Sequence, residues 1–391
     1  MDKKSIWTRQ LILMALTVFF VRLGQGFQSG VSANFYVREL GLGGDQVLWL
    51  SGIREIPGLL LVFLAALITK LPLSRRAALS ILLMGLGYGA YALVNSYLGL
   101  IAAALLGSIG FHNWMPLQSS LGMALVPKEK SGSIMGTLNG IGALASLGGM
   151  LLISLTVSRL GLRAFYLLAG AAFVVGVAMV WQLSTDVGEE KSPNKRKIVF
   201  KRRYWLYYVL TFFEGSRTQV FFAFGSWVLV EHYGMSAERL PLLLIVSGLV
   251  NMIGSPRMGE WIDRFGERRV LLGSYAGLVL CFIGYAMLHS VWLLSGLYVL
   301  INFLVTSRVA LSTYVNRIAL TGDLVPTLSA GVSVNHITSV SMSLLAGTLL
   351  QLVGYEGLSW GAAFMILLSV PFALMVQASP LPQPEKPAPA A

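Results

Sequence analysis

An all-α membrane protein with twelve transmembrane helices in two pseudo-symmetric six-helix bundles is the fold class this chain predicts, and three observations predict it. Of its 391 residues 55% are hydrophobic and 12% charged, with a mean hydropathy of +0.72. That is more apolar surface than a water-soluble core can hide. Apolar runs of about 20 residues, the length that crosses a bilayer, recur along the whole chain. Finally, features of the first half return in the second, as two related halves require.

The first six runs lie near 10–36, 47–69, 77–94, 97–125, 133–157 and 162–183. The second six lie near 204–230, 240–262, 270–288, 291–318, 328–353 and 358–378. Connections between them are short and leave no room for a separate soluble domain. Backbone polar groups in lipid must pair within their own segment, so each run is expected to be a helix. The glycines scattered through the runs suit close helix packing. One long polar interruption, 184–203 (STDVGEEKSPNKRKIVFKRR), falls mid-chain. It reads as a basic linker between a bundle at 1–183 and another at 204–378, and its cations suit anionic lipid headgroups. The Pro- and Ala-rich tail 379–391 reads as disordered.

A net charge of +12 would suit nucleic acid, but its distribution speaks for topology instead. Lys3, Lys4, Arg9, Lys70, Arg75, Arg76, Lys128, Lys130, Arg257, Arg264, Arg268, Arg269, Arg317 and the linker cations fall on one side. Only Arg38, Arg159, Arg163 and Arg239 fall on the other. This positive-inside bias places both termini in the cytoplasm of a multi-pass protein of the cell membrane, with the lipid bilayer as partner and no nucleic acid. The apolar run after Lys4 is too long for a signal peptide and no convincing cleavage site follows it. The single cysteine, Cys281, lies within a run, so neither a disulfide framework nor a cysteine metal site is expected.

The segment GEWIDRFGERR contains Gly259, Asp263, Arg264, Gly266, Arg268 and Arg269 between two apolar runs. Half a chain earlier, ALITKLPLSRR occupies the same place: Arg75 and Arg76 match Arg268 and Arg269, while Ala66, Lys70 and Leu73 stand for Gly259, Asp263 and Gly266. Val126, Pro127, Gly132 and Gly148 likewise recur as Val325, Pro326, Gly331 and Gly347. The later segment resembles the G-x-x-x-D-R-x-G-R-R loop of the major facilitator superfamily, a family of twelve-helix secondary transporters. The resemblance implies a conformational latch in which Asp263 faces the positive N-terminal end of the fifth span, near Gly132 and Ser133, while the arginines bridge carboxylates. Lys70 is unfavourable in that role, so the first-half latch should differ in strength, with Asp323 a candidate partner for Lys70. Without the latch, these arginines serve as topology determinants alone.

Charge inside a span is costly and points to a site. Such positions are Arg22, Arg54, Glu55, His112, Glu214, Arg217, Arg308 and His336. Arg22 and Arg217 fall near the bilayer midplane at nearly equivalent places in the two halves. The resemblance implies that spans 1, 4, 7 and 10 line the central cavity. Arg22, Gln25, Ser29 and Ser32 then form one polar stripe, and Thr211, Glu214 and Arg217 another. Two guanidinium forks across a pseudo-twofold axis suit an anionic substrate. The arrangement is similar to that of the organophosphate:phosphate antiporter branch. The alternative is structural pairing, Arg22 with Glu55 and Glu214 with Arg217. His112, one helical turn before Pro116, and His336, after Asn335, are candidates for binding substrate or carrying a proton, or are simply bonded to a neighbouring helix. Glu55 and Glu214 are the better proton carriers.

There is no Walker motif, H-E-x-x-H site or nucleophile elbow, so no enzyme activity, cofactor or metal is expected. The leading expectation is secondary active transport of a small anionic organic solute by alternating access, coupled to a proton or counter-anion, by a monomer. Arg22, Gln25, Arg54, His112, Arg217, Arg308 and His336 would bind it, with Glu55 and Glu214 coupling. Alternatives are proton-coupled efflux of amphipathic compounds and a transporter-like sensor.

Overall fold

Described residues of the computed structural model are 7–188, 200–320 and 322–377. Lys3, Lys4, most of the basic linker and the tail 379–391 lie outside them. Nine helices among the described residues are long and apolar enough to cross a membrane, and three local effects turn nine into twelve. The helix Leu324–Leu374 is two spans, 324–353 and 355–374, joined at Gly354 with a φ of 68°. Span 7, Trp205–Glu231, falls short on hydropathy because Glu214 and Arg217 interrupt it. Span 2 is broken into Gly44–Ile53, Ile56–Leu59 and Leu61–Leu67.

The remaining spans in order are 1 (Arg9–Asn34), 3 (Leu73–Ala90), 4 (Tyr97–Ala124), 5 (Ser131–Leu160), 6 (Leu162–Trp181), 8 (Arg239–Phe265) and 9 (Glu267–Met287). Span 10 is Val291–Leu304 and Val309–Ile318 with a tight turn, Val305–Arg308, between them. Thr8 caps span 1 by accepting from the Leu11 amide at 3.3 Å, which satisfies one orphan donor of the first turn. Pro116 is carried within a continuous span 4.

The repeat is visible in the backbone. Gly161 between spans 5 and 6 and Gly354 between spans 11 and 12 both have positive φ with extended ψ. They are separated by the same offset as Ala66 and Gly259. Only glycine takes that conformation without strain, so each half closes its last hairpin with the same residue. Gly266, with a φ of 80°, does this for spans 8 and 9; Leu73 stands at the matching place, and there Pro72 opens the helix instead.

Within the first half, spans 1, 3, 4, 5 and 6 pack on one another; in the second, spans 8, 9 and 10 pack on one another and the helix 324–374 packs on spans 7 and 9. Small residues set the approach: a Cβ on Gly26 would come within 2.9 Å of the Ser146 Cα. The halves meet through spans 2 and 11, 5 and 8, and 2 and 7. At the end away from the linker this seam is tight. Trp49 Nε1 donates to the Leu344 carbonyl at 3.1 Å, Gln351 Nε2 to Asp45 Oδ2 at 2.6 Å, and Arg38 to the Gly234 and Met235 carbonyls at 3.2 and 3.3 Å. At the linker end Gly132, Gly136 and Gly140 of span 5 and Gly259 of span 8 have nothing within 4 Å of an added Cβ. The bundles are therefore closed at the far end and apart at the linker end.

Candidate functional site

The break in span 2 builds the centre of the site. Pro57 has no amide to offer the Ile53 carbonyl, and the Glu55 amide turns back to Gly52 at 3.0 Å. The freed Arg54 carbonyl accepts from the Ser108 hydroxyl of span 4. Left unpaired in lipid it would cost several kcal/mol. A discontinuous span at the interface of two repeats is where transporters place their polar sites, and here the break carries Arg54 and Glu55.

Glu55 joins three spans. Its Oε2 lies 3.0 Å from His336 Nδ1 of span 11 and 3.7 Å from His112 Nε2 of span 4. The two imidazoles are 5.3 Å apart between centroids, and Gly58 leaves the space, since a Cβ there would approach both rings to 2.6 Å. His112 Nδ1 is 3.0 Å from the Ser108 carbonyl and 3.0 Å from its hydroxyl oxygen. Because the Ser108 proton is committed to Arg54, both oxygens can only accept, so Nδ1 carries the hydrogen. A neutral His112 then turns the bare lone pair of Nε2 toward a carboxylate oxygen. Two lone pairs repel, so a positive charge belongs between them, as a proton on the imidazole or as a bound cation.

On the far-end side of this cluster a cavity of about 420 Å³ lies between the halves. Gln28, Ser32 and Arg54 line it from the first half, and Ser247, Asn251 and Asn302 from the second. Tyr36 and Tyr298 add aromatic faces. Arg54 is the one residue among the lining with a fixed charge, and no acid lines the cavity. Its guanidinium sits 5.8 Å from the Tyr88 ring centroid, and no described carboxylate pairs with it. The Asn251 Oδ1 is buried without a hydrogen-bond partner.

Several sequence expectations change here. Arg22 does not pair with Glu55; its Nη1 donates to Gln25 Oε1 at 3.1 Å, and its stem packs on Gly142 of span 5. Glu214 does not pair with Arg217; it accepts from Asn335 at 2.6 Å and from the Thr218 hydroxyl at 3.0 Å. Arg217 is buried, with its guanidinium 4.3 Å from the Tyr275 centroid in span 9 and its Nε and Nη1 unpartnered. Each arginine is thus held by its own bundle, and the structure gives Arg22 and Arg217 no common partner. The reason lies in helix rotation: Gly142 and Tyr275 offer intrabundle surfaces that a stripe count cannot see. Arg308 is exposed on the tight turn of span 10.

At the latch, Asp263, Arg264 and Arg269 are exposed and no described ion pair joins them to the first half. Gly266 forms the turn, and its neighbour Glu267 binds Arg317 at 3.1 Å. Arg268 is half-buried. The bundles are apart at this end, and no described ion pair joins the loop to the first half in this conformation. Asp323 is not the partner of Lys70; it accepts from Lys201 at 2.6 Å and from the Tyr204 hydroxyl at 2.9 Å. Ser29 and Ser32 of the span 1 stripe do line the cavity, whereas Asn251, Asn302 and Gln28 escape a reading built on ionisable residues and the polar stripes beside them. An uncharged amide in an apolar run was the available signal.

Comparison with known proteins agrees with this architecture. The model of the Major Facilitator Superfamily matches residues 14–334 and 207–391. The chain is 28% identical over 256 residues to the multi-drug resistance efflux pump PmrA of Streptococcus pneumoniae, spanning 61% of this chain and 63% of that protein. It is 25% identical over 312 residues to the multidrug resistance protein MdtG of Escherichia fergusonii, spanning 74% and 75%. Among solved structures, the nucleoside transporter NupG superposes with a TM-score of 0.78 at 12% identity, covering 95% of this chain and 100% of that one. An inward-facing bacterial homologue of the lysosomal transporter Spinster gives 0.73 at 14% identity, covering 93% and 96%. The family is one of transporters and not of enzymes, and this chain, a multi-pass membrane protein with a repeated twelve-span fold, belongs to the major facilitator superfamily.

Proposed function

We propose that this chain is a secondary active transporter that moves a small organic solute bearing an anionic group across the cell membrane by alternating access. The observation that carries the reading is Arg54. It lines the cavity between the two bundles with no carboxylate partner among the described residues, in a lining that contains no acid. Arg54 is half-buried; a guanidinium cannot shed its charge, and an anion in the cavity would pair with it through a planar fork. The amide and hydroxyl groups around it can bond the rest of a polar solute, and Tyr36 and Tyr298 can pack on its apolar part.

Glu214 is the coupling group of this reading. It ties span 7 to span 11 through Asn335 within the second bundle, so a change in its protonation alters how the two helices that meet span 2 across the seam pack on each other. The positive-inside bias puts the linker, both termini and the open end in the cytoplasm; the conformation is then inward-facing, with the protein acting as a monomer. The bundles 1–183 and 204–378 rock about the seam, and the Asp263 loop latches them in the opposite conformation.

A thermal-shift screen of the purified protein against phosphorylated, carboxylated and cationic compounds tests the substrate class, since a ligand that binds the native state raises its melting point. Anionic compounds should stabilise the wild type, and Arg54→Gln should lose that stabilisation while Arg54→Lys keeps part of it. Stabilisation by cations alone would refute the anion reading. A second reading, efflux of amphipathic compounds, is favoured by the names of the PmrA and MdtG relatives and by the aromatic lining; broad stabilisation by uncharged or cationic amphipaths would select it.

A further inference from the structure

Glu55, His112 and His336 each offer one ligand atom, and the three atoms lie within 4.8 Å of one another. We propose that they form a binding site for a divalent transition-metal ion of the zinc class, shared between the two bundles. Two imidazole nitrogens and one carboxylate oxygen are a preferred ligand set for such ions. With metal–ligand bonds of about 2.0–2.1 Å, ligand atoms around a tetrahedral ion stand about 3.4 Å apart. The observed 3.0 and 3.7 Å from Glu55 Oε2 to the histidine nitrogens bracket that value. Only the gap between the imidazoles has to close.

The tautomer of His112 is the second, independent argument. Its Nδ1 hydrogen is held by Ser108, the arrangement that outer-shell carbonyls provide to metal-binding histidines. Its Nε2 lone pair is thereby aimed at the place an ion would occupy. His336 would exchange its hydrogen bond to Glu55 for ligation through Nδ1, its hydrogen residing on Nε2. Glu55, His112 and His336 are mostly buried, so the ion would be largely dehydrated and keep one position for water or a solute carboxylate. No contiguous motif announces such a site, which is why the sequence was read as having no metal.

Glu55 and His112 belong to the first bundle and His336 to the second. An ion here therefore cross-links the halves and favours the conformation that brings spans 2, 4 and 11 together, by its differential affinity for that state. The site stands independently of which solute is carried.

The test uses full-length protein without an affinity tag, stripped of metal by chelation. One equivalent of Co²⁺ should give visible d–d absorption bands, which Zn²⁺ abolishes, and micromolar Zn²⁺ should raise the melting temperature until EDTA is added. Glu55→Gln, His112→Gln and His336→Gln should each lose the bands. Ser108→Ala, which leaves all three ligands in place, should weaken Zn²⁺ binding by about 10- to 100-fold. Wild-type spectra need no variant, so misfolding of a variant cannot hide the outcome. An absence of Co²⁺ bands in the wild type, or bands that persist in all three ligand variants through His232, His289 or the linker, overturns the proposal.

Discussion

The closed far end can be opened by removing two hydrogen bonds that cross it. Gln351 Nε2 donates to Asp45 Oδ2 at 2.6 Å, and Trp49 Nε1 donates to the Leu344 carbonyl at 3.1 Å. A hydrogen bond to a charged group contributes about 1.5–3 kcal/mol, and a neutral one about 0.5–1.5 kcal/mol. Gln351 is exposed and Asp45 and Trp49 are half-buried, so water replaces much of what is lost and the lower ends apply. Gln351→Ala with Trp49→Phe should then cost the closed state about 2 kcal/mol, which is about 30-fold in the ratio of closed to open molecules. Ser29 lines the cavity and is exposed, so Ser29→Cys in a Cys281→Ser background reports opening. A membrane-impermeant maleimide added from the far side should label the double variant up to about 30-fold faster than its parent, with the single variants between. An unchanged rate, in protein that labels fully after denaturation, would show that these contacts do not hold the seam.

Glu214→Gln should abolish gradient-driven accumulation and spare solute exchange if Glu214 couples transport; loss of both in vesicles would mark its bond to Asn335 as structural. Asp263→Asn should leave the melting temperature unchanged, because Asp263 has no described partner in this conformation. It should also speed labelling of Gly136→Cys at the linker end; equal labelling rates would count against the latch. The Lys201 hydrogen bond, then that of Tyr204, holds the Asp323 carboxyl below its ordinary value of 3.8, and the same bond holds Lys201 above its ordinary 10.5. The tether's contribution is therefore present between those two ordinary values, fades as pH falls through the lowered Asp323 value, and fades again as pH rises through the raised Lys201 value. The melting-temperature gap between wild type and Asp323→Asn should be flat across that window and shrink outside it; a gap independent of pH would refute the ion pair.

Hydropathy and the half-chain repeat were enough to specify twelve spans in two bundles, because lipid forces every apolar run of about 20 residues into a self-paired helix. Even the two spans that depart from a long apolar helix do so for reasons written in their residues: Pro57 breaks span 2 beside Arg54 and Glu55, and Glu214 with Arg217 lower the hydropathy of span 7. The intramembrane charges were likewise legible as the places to look. Their partners were not. Arg22 and Glu55 sit at similar depth, as do Glu214 and Arg217, but depth says nothing about helix rotation. Rotation is set by packing: Gly142 receives the Arg22 stem, Tyr275 receives the Arg217 guanidinium, and Gly58 leaves room for two imidazoles against Glu55. Only tertiary structure brings His112 and His336, on spans far apart in the chain, to one carboxylate, because that meeting depends on where two bundles touch and not on any spacing along either one.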